Sequence, residues 1–401
     1  MAARANQRLS FDANPMNQPL PVTVLAGLPG AGKTTLVNHI LADRVALRIA
    51  VVSSETGDLS NEIARVAAEQ NFDAIVVEAS GHDDPQTIAE NLVFDNDIAH
   101  LDTIVTVIDA QNFPRDYAST DVLGHDEEGD RTVVETLVAQ IEFCDVIVIN
   151  KTDLISAPAL VELRDILHAL NPRADLIDAS FGVVPLKDVV NTDRFDFDAT
   201  SSAPGWLEML NAEPDAAPLV AANESGIGGF VYRARRPFHP ERLWSLLHQE
   251  WTGVLRSKGF FWLATRSDIG GSLSQAGSAL RHGPAGMWWA AQDRSEWPTG
   301  DAELEAEIAA DWFGDADDMS VGDRRQELAI IGKELDEKHW RGAFDACLLT
   351  DQEWSQGAQA WLAFSDPFPS WEMDDDDHDH EHDHEHDHGD DCDCGAHGHH
   401  Q

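Results

Sequence analysis

Val22-Thr-Val-Leu-Ala-Gly27-Leu-Pro-Gly30-Ala31-Gly32-Lys33-Thr34-Thr35 decides the fold. An apolar run leads into Gly-x-x-x-x-Gly-Lys-Thr, and a helical pattern, TLVNHILAD, follows at once. A strand, a Gly-rich loop and a helix in this order make a phosphate cradle. Gly27, Gly30 and Gly32 let the backbone N–H groups around Ala31 curl about an anion. Lys33 reaches the β and γ phosphates, and the Thr34 hydroxyl suits Mg²⁺. The helix N-terminus at Thr34 and Thr35 adds a favourable field. A Gly-rich turn that only packs has no use for Lys33 followed by Thr34.

Outward from this loop, short apolar runs recur at 22–27, 48–54, 73–80, 103–110 and 145–150. Such runs fit strands buried on both faces of a parallel sheet. Helical patterns alternate with them. In residues 131–143, Val134, Leu137, Val138 and Ile141 follow the i, i+3, i+4, i+7 spacing of a one-sided helix. The expectation is α/β: a P-loop domain with a mostly parallel sheet over residues 21–195, behind a disordered arm at 1–20. Residues 196–225, rich in Ala, Pro, Ser and Asp, read as a linker. All 12 Trp lie at position 206 or beyond. That asymmetry predicts a smaller α+β domain at 226–368 with its own core. Its strands are expected at 228–236, 260–266 and 287–291, and its helices at 240–251 and 323–335. Residues 369–401 read as a disordered His/Asp-rich tail.

The 401 residues carry 72 acidic and 27 basic side chains, a net charge of −45. Residues 374–401 hold 12 of the carboxylates and no Lys or Arg, leaving −33 on the rest. This excess argues against nucleic acid and against anionic membrane surfaces as partners. No apolar stretch reaches the 18 residues of a membrane span. Four cysteines do not make a disulfide framework, so a reducing cytoplasm is the expected compartment.

Asn150-Lys151-Thr152-Asp153 closes the DVIVIN run. At a strand end downstream of a phosphate loop, such an Asn-Lys-x-Asp element suits guanine. Its Asp accepts from the base N1 and N2 groups, and Lys151 lies along base and ribose. GTP is thereby the expected nucleotide. Ala179 and Ser180, after the run LIDA, offer backbone N–H groups for the guanine O6. Glu78-Ala-Ser-Gly81 ends the third strand candidate. Glu78 suits Mg²⁺ or the attacking water, and Gly81 allows close approach to the γ-phosphate. Lys33, Thr34 and Glu78 are thus the catalytic candidates. Asp109 ends the next strand and reads equally as a loop cap, and His82 reads as a surface loop histidine.

The tail sets His378, His380, His382, His384, His386 and His388 between carboxylates, followed by Cys392 and Cys394. Imidazole and thiolate are good ligands for Zn²⁺, Ni²⁺ or Co²⁺. Alternation with Asp and Glu is unlike a purification tag, and a merely solvated acidic tail needs neither His nor Cys.

These residues resemble the CobW-like GTPases, relatives of the GTPases that deliver nickel and cobalt. The resemblance rests on GLPGAGKTTLVNHIL, EASG, LDTIVTVIDAQNFPRDYAS, IEFCDVIVINKTDL and NPRADL, then on FVYRARRPFHPERLWSLLHQEW and GVLRSKGFFWLATR. The long bacterial members are regarded as zinc metallochaperones. The resemblance implies GTP hydrolysis coupled to transfer of Zn²⁺ into a client metalloprotein. Family members usually carry Gly-Cys-x-Cys-Cys between the second strand and the ExxG strand. Here RIAVVSSE (48–55) runs directly into TGDLSNE, and that motif is absent. Cys144 and Cys347 read as core thiols. The missing motif leaves an alternative open: a GTP-dependent regulator or zinc buffer with little hydrolysis. Arg235, Arg236 and His239 read either as client contacts or as packing.

Overall fold

A computed structural model describes residues 19–42, 47–56, 58–93, 98–126, 129–212, 225–315 and 318–371. The first part of the chain supplies strands β1 (Leu20–Ala26), β2 (Ile49–Ser53), β3 (Ala74–Glu78), β4 (Ala99–Asp109), β5 (Val122–Asp126), β6 (Gly129–Thr132), β7 (Val146–Asn150) and β8 (Asp175–Asp178). Six of them form a wholly parallel sheet in the order β2-β3-β1-β4-β7-β8, and β5 and β6 form a separate hairpin. Helices α1 (Lys33–Ala42), α2 (Leu59–Ala68), α3 (Pro85–Val93), α4 (Phe113–Tyr117), α5 (Val133–Glu142) and α6 (Ala157–Leu170) connect the strands.

Both faces of this sheet are covered. In β7, Val146 and Val148 join the cluster under α1, with Leu36, Val37 and Ile40. Ile147 and Ile149 face the opposite layer, with Ile63 of α2 and Leu137 and Ile141 of α5. Period-2 burial on two faces is what makes the strand sequences continuously apolar. Helix α5 starts at a capping box, in which Thr132 and Glu135 satisfy each other's backbone N–H groups.

The stretch read as a linker carries two helices, α7 (Phe197–Ser201) and α8 (Gly205–Asn211). Met209 of α8 is buried in the first domain's core, so residues 205–211 are packed structure. The Ala/Pro/Ser composition concealed the apolar Trp206, Met209 and Leu210.

The second unit is a five-stranded antiparallel sheet in the order β12-β11-β10-β13-β9. Its strands are β9 (Ile227–Ala234), β10 (Val254–Phe261), β11 (Ile269–Ala276), β12 (Ala279–Met287) and β13 (Gln326–Lys333). Helices α9 (Pro240–Leu247), α10 (Ala302–Asp311) and α11 (Glu337–Cys347) accompany it. The helix expected at 323–335 is instead β13. Leu328 and Ile330 belong to an aromatic-rich core with Phe230, Phe238 and Phe344, whereas Ala329 and Ile331 join the core of the first domain. A strand buried on both faces is a continuous apolar run, and periodicity cannot tell such a run from a buried helix.

Two other expectations shift. The strand expected at 260–266 lies at Val254–Phe261, and Ala264–Arg266 forms a 3₁₀ turn. Arg256 and Ser257 are buried in that strand, so hydrophobicity alone misplaced it. The run 287–291 lies where β12 ends and a 3₁₀ turn begins. β12 is an edge strand containing Pro284, a position where the missing N–H is tolerated. Helix 240–251 stops at Leu247, with His248 as C-cap.

Candidate functional site

Parallel register aligns the carboxyl ends of the central strands. Leu25 pairs with Glu78, Ser53 with Glu78, Asp109 with Asn150 and Ile149 with Asp178. The loops after β1, β3, β4, β7 and β8 therefore gather on one edge, where open α/β sheets bind ligands.

The loop after β1 is built by its glycines. Gly27, Gly30 and Gly32 have φ of 139°, 81° and 111°. A Cβ on Gly27 would lie 2.4 Å from the Val107 carbonyl oxygen, and one on Gly32 would lie 2.3 Å from Asn150 Nδ2. Lys33 Nζ donates to the Gly27 carbonyl at 2.5 Å. Burial holds the Lys33 ammonium below its usual range, and the nearby Glu78, Asp83 and Glu55 carboxylates only partly offset this. An anion beside Lys33 would favour its charged form. Thr34 Oγ1 donates to Glu78 Oε1 at 2.6 Å. Lys33, Thr34, Thr35, Glu55, Glu78 and Gly81 help line an open cavity of about 560 Å³.

The structure brings the Asn-Lys-Thr-Asp element against this loop. Asn150 Nδ2 donates to the Ala31 carbonyl at 3.0 Å, and Asn150 Oδ1 accepts from the Gly182 N–H at 3.0 Å. Lys151, at φ 60°, donates from Nζ to the Gly30 carbonyl at 2.8 Å and to Asp109 Oδ2 at 2.6 Å. Thr152 Oγ1 donates to the Ala179 carbonyl at 2.9 Å. Asp153 stands exposed beside them.

Asp109 is both of the things its position suggested, a loop cap and a member of the edge. Its carboxylate accepts from the Gln111 and Asn112 N–H groups and holds Lys151. Burial alone pushes this carboxyl up, but the hydrogen bonds from Lys151 and Asn112 outweigh burial and hold it below its usual range. The pairing with Lys151 spans 42 positions and has no local signal. One expectation changes: the Ala179 N–H already donates to the Ile149 carbonyl at 2.8 Å, leaving Ser180 to offer a backbone donor.

Glu78 closes β3, and Gly81 sits in the loop that follows, cross-tied by Asp83, which accepts from the Ser80 N–H and Oγ at 2.8 and 2.7 Å and from the Ser54 hydroxyl. A Cβ on Gly81 would lie 2.4 Å from Pro29, so this loop lies directly on the phosphate loop. His82 is exposed. Cys144 and Cys347 are buried, and burial pushes their thiols up to about 12 and about 11, values suited to inert core groups. Arg236 is spent on the Leu349 carbonyl and Asp351, and His239 stacks on Phe364, which are packing roles. Among the described residues, no group of three or more His, Cys, Asp or Glu could hold a metal ion. The candidates His378, His380, His382, His384, His386, His388, Cys392 and Cys394 lie outside the described residues. No helix among the described residues is long and apolar enough to cross a membrane.

Sequence reasoning missed the contacts that join the two units. Arg256 of β10 and Glu142 of α5 form a buried two-pronged ion pair, at 2.7 and 3.1 Å. Tyr117 Oη donates to the Leu255 carbonyl at 2.9 Å.

A Gly-rich loop between a central parallel strand and a helix, locked to an Asn-Lys-x-Asp element, defines a P-loop nucleotide-binding protein. The CobW/HypB/UreG nucleotide-binding domain matches residues 21–62 and 56–178, and the cobalamin synthesis protein cobW C-terminal domain matches residues 227–348. A zinc-regulated GTPase metalloprotein activator of Dictyostelium discoideum is 32% identical over 408 residues, covering 87% of this chain and 84% of that protein. The chain belongs to the CobW family of P-loop proteins. A zinc chaperone of Mycobacterium tuberculosis is 33% identical over 259 residues, 63% of this chain and 58% of that protein. The Zn(II)-bound YjiA GTPase of E. coli is 20% identical and spans 83% of this chain and 100% of its own, with a TM-score of 0.36. The nucleotide-binding domain matches in two stretches that overlap at residues 56–62, just after RIAVVSSE (48–55), where the resemblance led to an expected Gly-Cys-x-Cys-Cys.

Proposed function

We propose that this chain is a GTPase that carries zinc, or a similar divalent cation, to client metalloproteins. The observation that carries the nucleotide half is the lock between Asn150, Lys151 and the Gly30–Ala31 backbone beside the Thr34–Glu78 pair. In this reading the N–H groups of Gly30 to Thr35 and the Lys33 ammonium take the phosphates. Asp153 takes the guanine N1–H and N2–H₂ edge. Thr34 and Glu78 are hard oxygen donors that fit Mg²⁺, which supplies charge neutralisation of the phosphates when bound. Glu78 and the loop through Gly81 orient water at the γ-phosphate.

The metal half is supported by the names of the relatives and by the donor set of the tail. Nine His and two Cys follow residue 377, and four such donors suffice for one ion, so several sets of them could serve. Neighbouring carboxylates favour protonated imidazole, so affinity falls as pH falls.

A second reading, a GTP-dependent regulator or zinc buffer with little turnover, is favoured by one observation: the family's internal Cys segment is missing. Steady-state phosphate release from GTP and Mg²⁺, with and without Zn²⁺, decides between the two. Turnover stimulated by zinc supports the chaperone. Binding of GTP with negligible release in both conditions supports the buffer. Lys33→Ala is expected to abolish release, and unchanged release would remove the site assignment.

A further inference from the structure

Gln140 lies in the last turns of α5, fully buried beneath the loop that follows β3. Its Nε2 donates to the Asp83 carbonyl at 3.1 Å and lies 3.5 Å from the Gly81 carbonyl. Its own backbone carbonyl accepts from Thr106 Oγ1 at 2.5 Å, tying this turn of the helix to β4. Two carbonyl acceptors at Nε2 fix the orientation of the amide. A buried glutamine at a core-facing helical position costs desolvation that a leucine avoids, so its two bonds into one loop call for a reason.

The loop lines the cavity with Lys33 and Thr34, and in the reading proposed above it lies beside the γ-phosphate. It is held from outside by Asp83 on Ser80 and Ser54, by Asp84 paired with Arg131 at 2.9 Å, and by Gly81 against Pro29. Gln140 supplies the hold from the core. Fixing the Gly81 carbonyl orients the 81–82 peptide and the path of the chain past Lys33 and Thr34. Among the described residues the Gly81 N–H makes no hydrogen bond, so it remains available to a ligand in the cavity that Gly81 lines.

We propose that Gln140 is a positioning residue for GTP hydrolysis, acting through the Glu78–Asp83 loop and not on the substrate. The inference rests on the GTPase reading above. Gln140→Met keeps length and apolar packing and removes the donor. Its kcat is expected to fall about tenfold or more, with KM for GTP within about twofold, the pattern of an interaction made only in the transition state. Hydrogen exchange of the amides of residues 80–84, measured with GDP bound, is expected to quicken in the variant. A kcat within twofold of wild type, or unchanged exchange, overturns the proposal. If wild type itself releases no phosphate, the GTPase reading fails, and exchange alone then decides the role of Gln140. Should Gln140→Met not fold, Gln140→Glu serves. Its carboxyl regains a donor when protonated, so its kcat relative to wild type should rise as pH falls, and a flat, low ratio overturns the proposal.

Discussion

Asp153 is the residue on which the choice of base turns in the proposed reading. A carboxylate accepts from two neighbouring donors on guanine, and an amide can accept only one of them. Asp153→Asn should weaken GTP binding by about a hundredfold or more, because a polar edge is left unmatched. The same variant should gain affinity for XTP, whose C2 oxygen accepts from the new amide. Competition binding against a fluorescent GDP reads both changes, and GTP affinity kept within a few-fold would remove Asp153 from the base site. At this scale the sequence was legible where chemistry is contiguous. Gly27 to Thr35 and Asn150 to Asp153 are each a short contiguous stretch, so spacing alone points to them as candidates. The pairing of Asp109 with Lys151 and the role of Gln140 were opaque, because each depends on a partner tens of residues away: Lys151 for one, the Gly81 and Asp83 carbonyls for the other.

The strands of the first domain were readable as elements because two-faced burial writes an uninterrupted apolar run. The same rule misled at β13, where Leu328 to Ile331 are equally apolar and the helix expected there is a strand. β10 was hard to place for the opposite reason: its central residues include the buried Arg256 and Ser257. Arg256 joins β10 to α5 through Glu142, with both side chains out of solvent. Removing one partner of such a pair strands the other charge. Arg256→Met should therefore destabilise the chain by about 3–5 kcal/mol, read as a lower urea midpoint. The double change Arg256→Met with Glu142→Met should recover much of the loss, since a well-packed apolar pair leaves no stranded charge. A single variant with an unshifted midpoint would show that the pair carries no weight.

Across the whole molecule, the described residues hold no group of three or more His, Cys, Asp or Glu placed for a metal ion, and the proposed zinc donors are those between His378 and Cys394. A chain ending at residue 371 should keep its GTP affinity and lose nearly all tight zinc, as read by equilibrium dialysis against zinc with a competing chelator. Tight zinc retained at one ion per chain would point to a second site made by residues outside those described. The two-part composition, with no Trp before residue 206, announced two cores. It could not announce how they meet, since a surface that becomes an interface is written like any half-apolar sheet face.

That meeting has a consequence for biosynthesis. Ala329 and Ile331 close a layer that begins with residues of β1, yet they are made some three hundred residues later. Until β13 is made, Met209 and its neighbours on α8 lack their partner strand, beside an otherwise finished nucleotide domain. Between the making of α8 and that of β13 the nascent protein carries this apolar face without its full cover, and a premature stop before β13 leaves it so. Its dense negative charge is then a safeguard, keeping half-made copies apart until the last strand arrives.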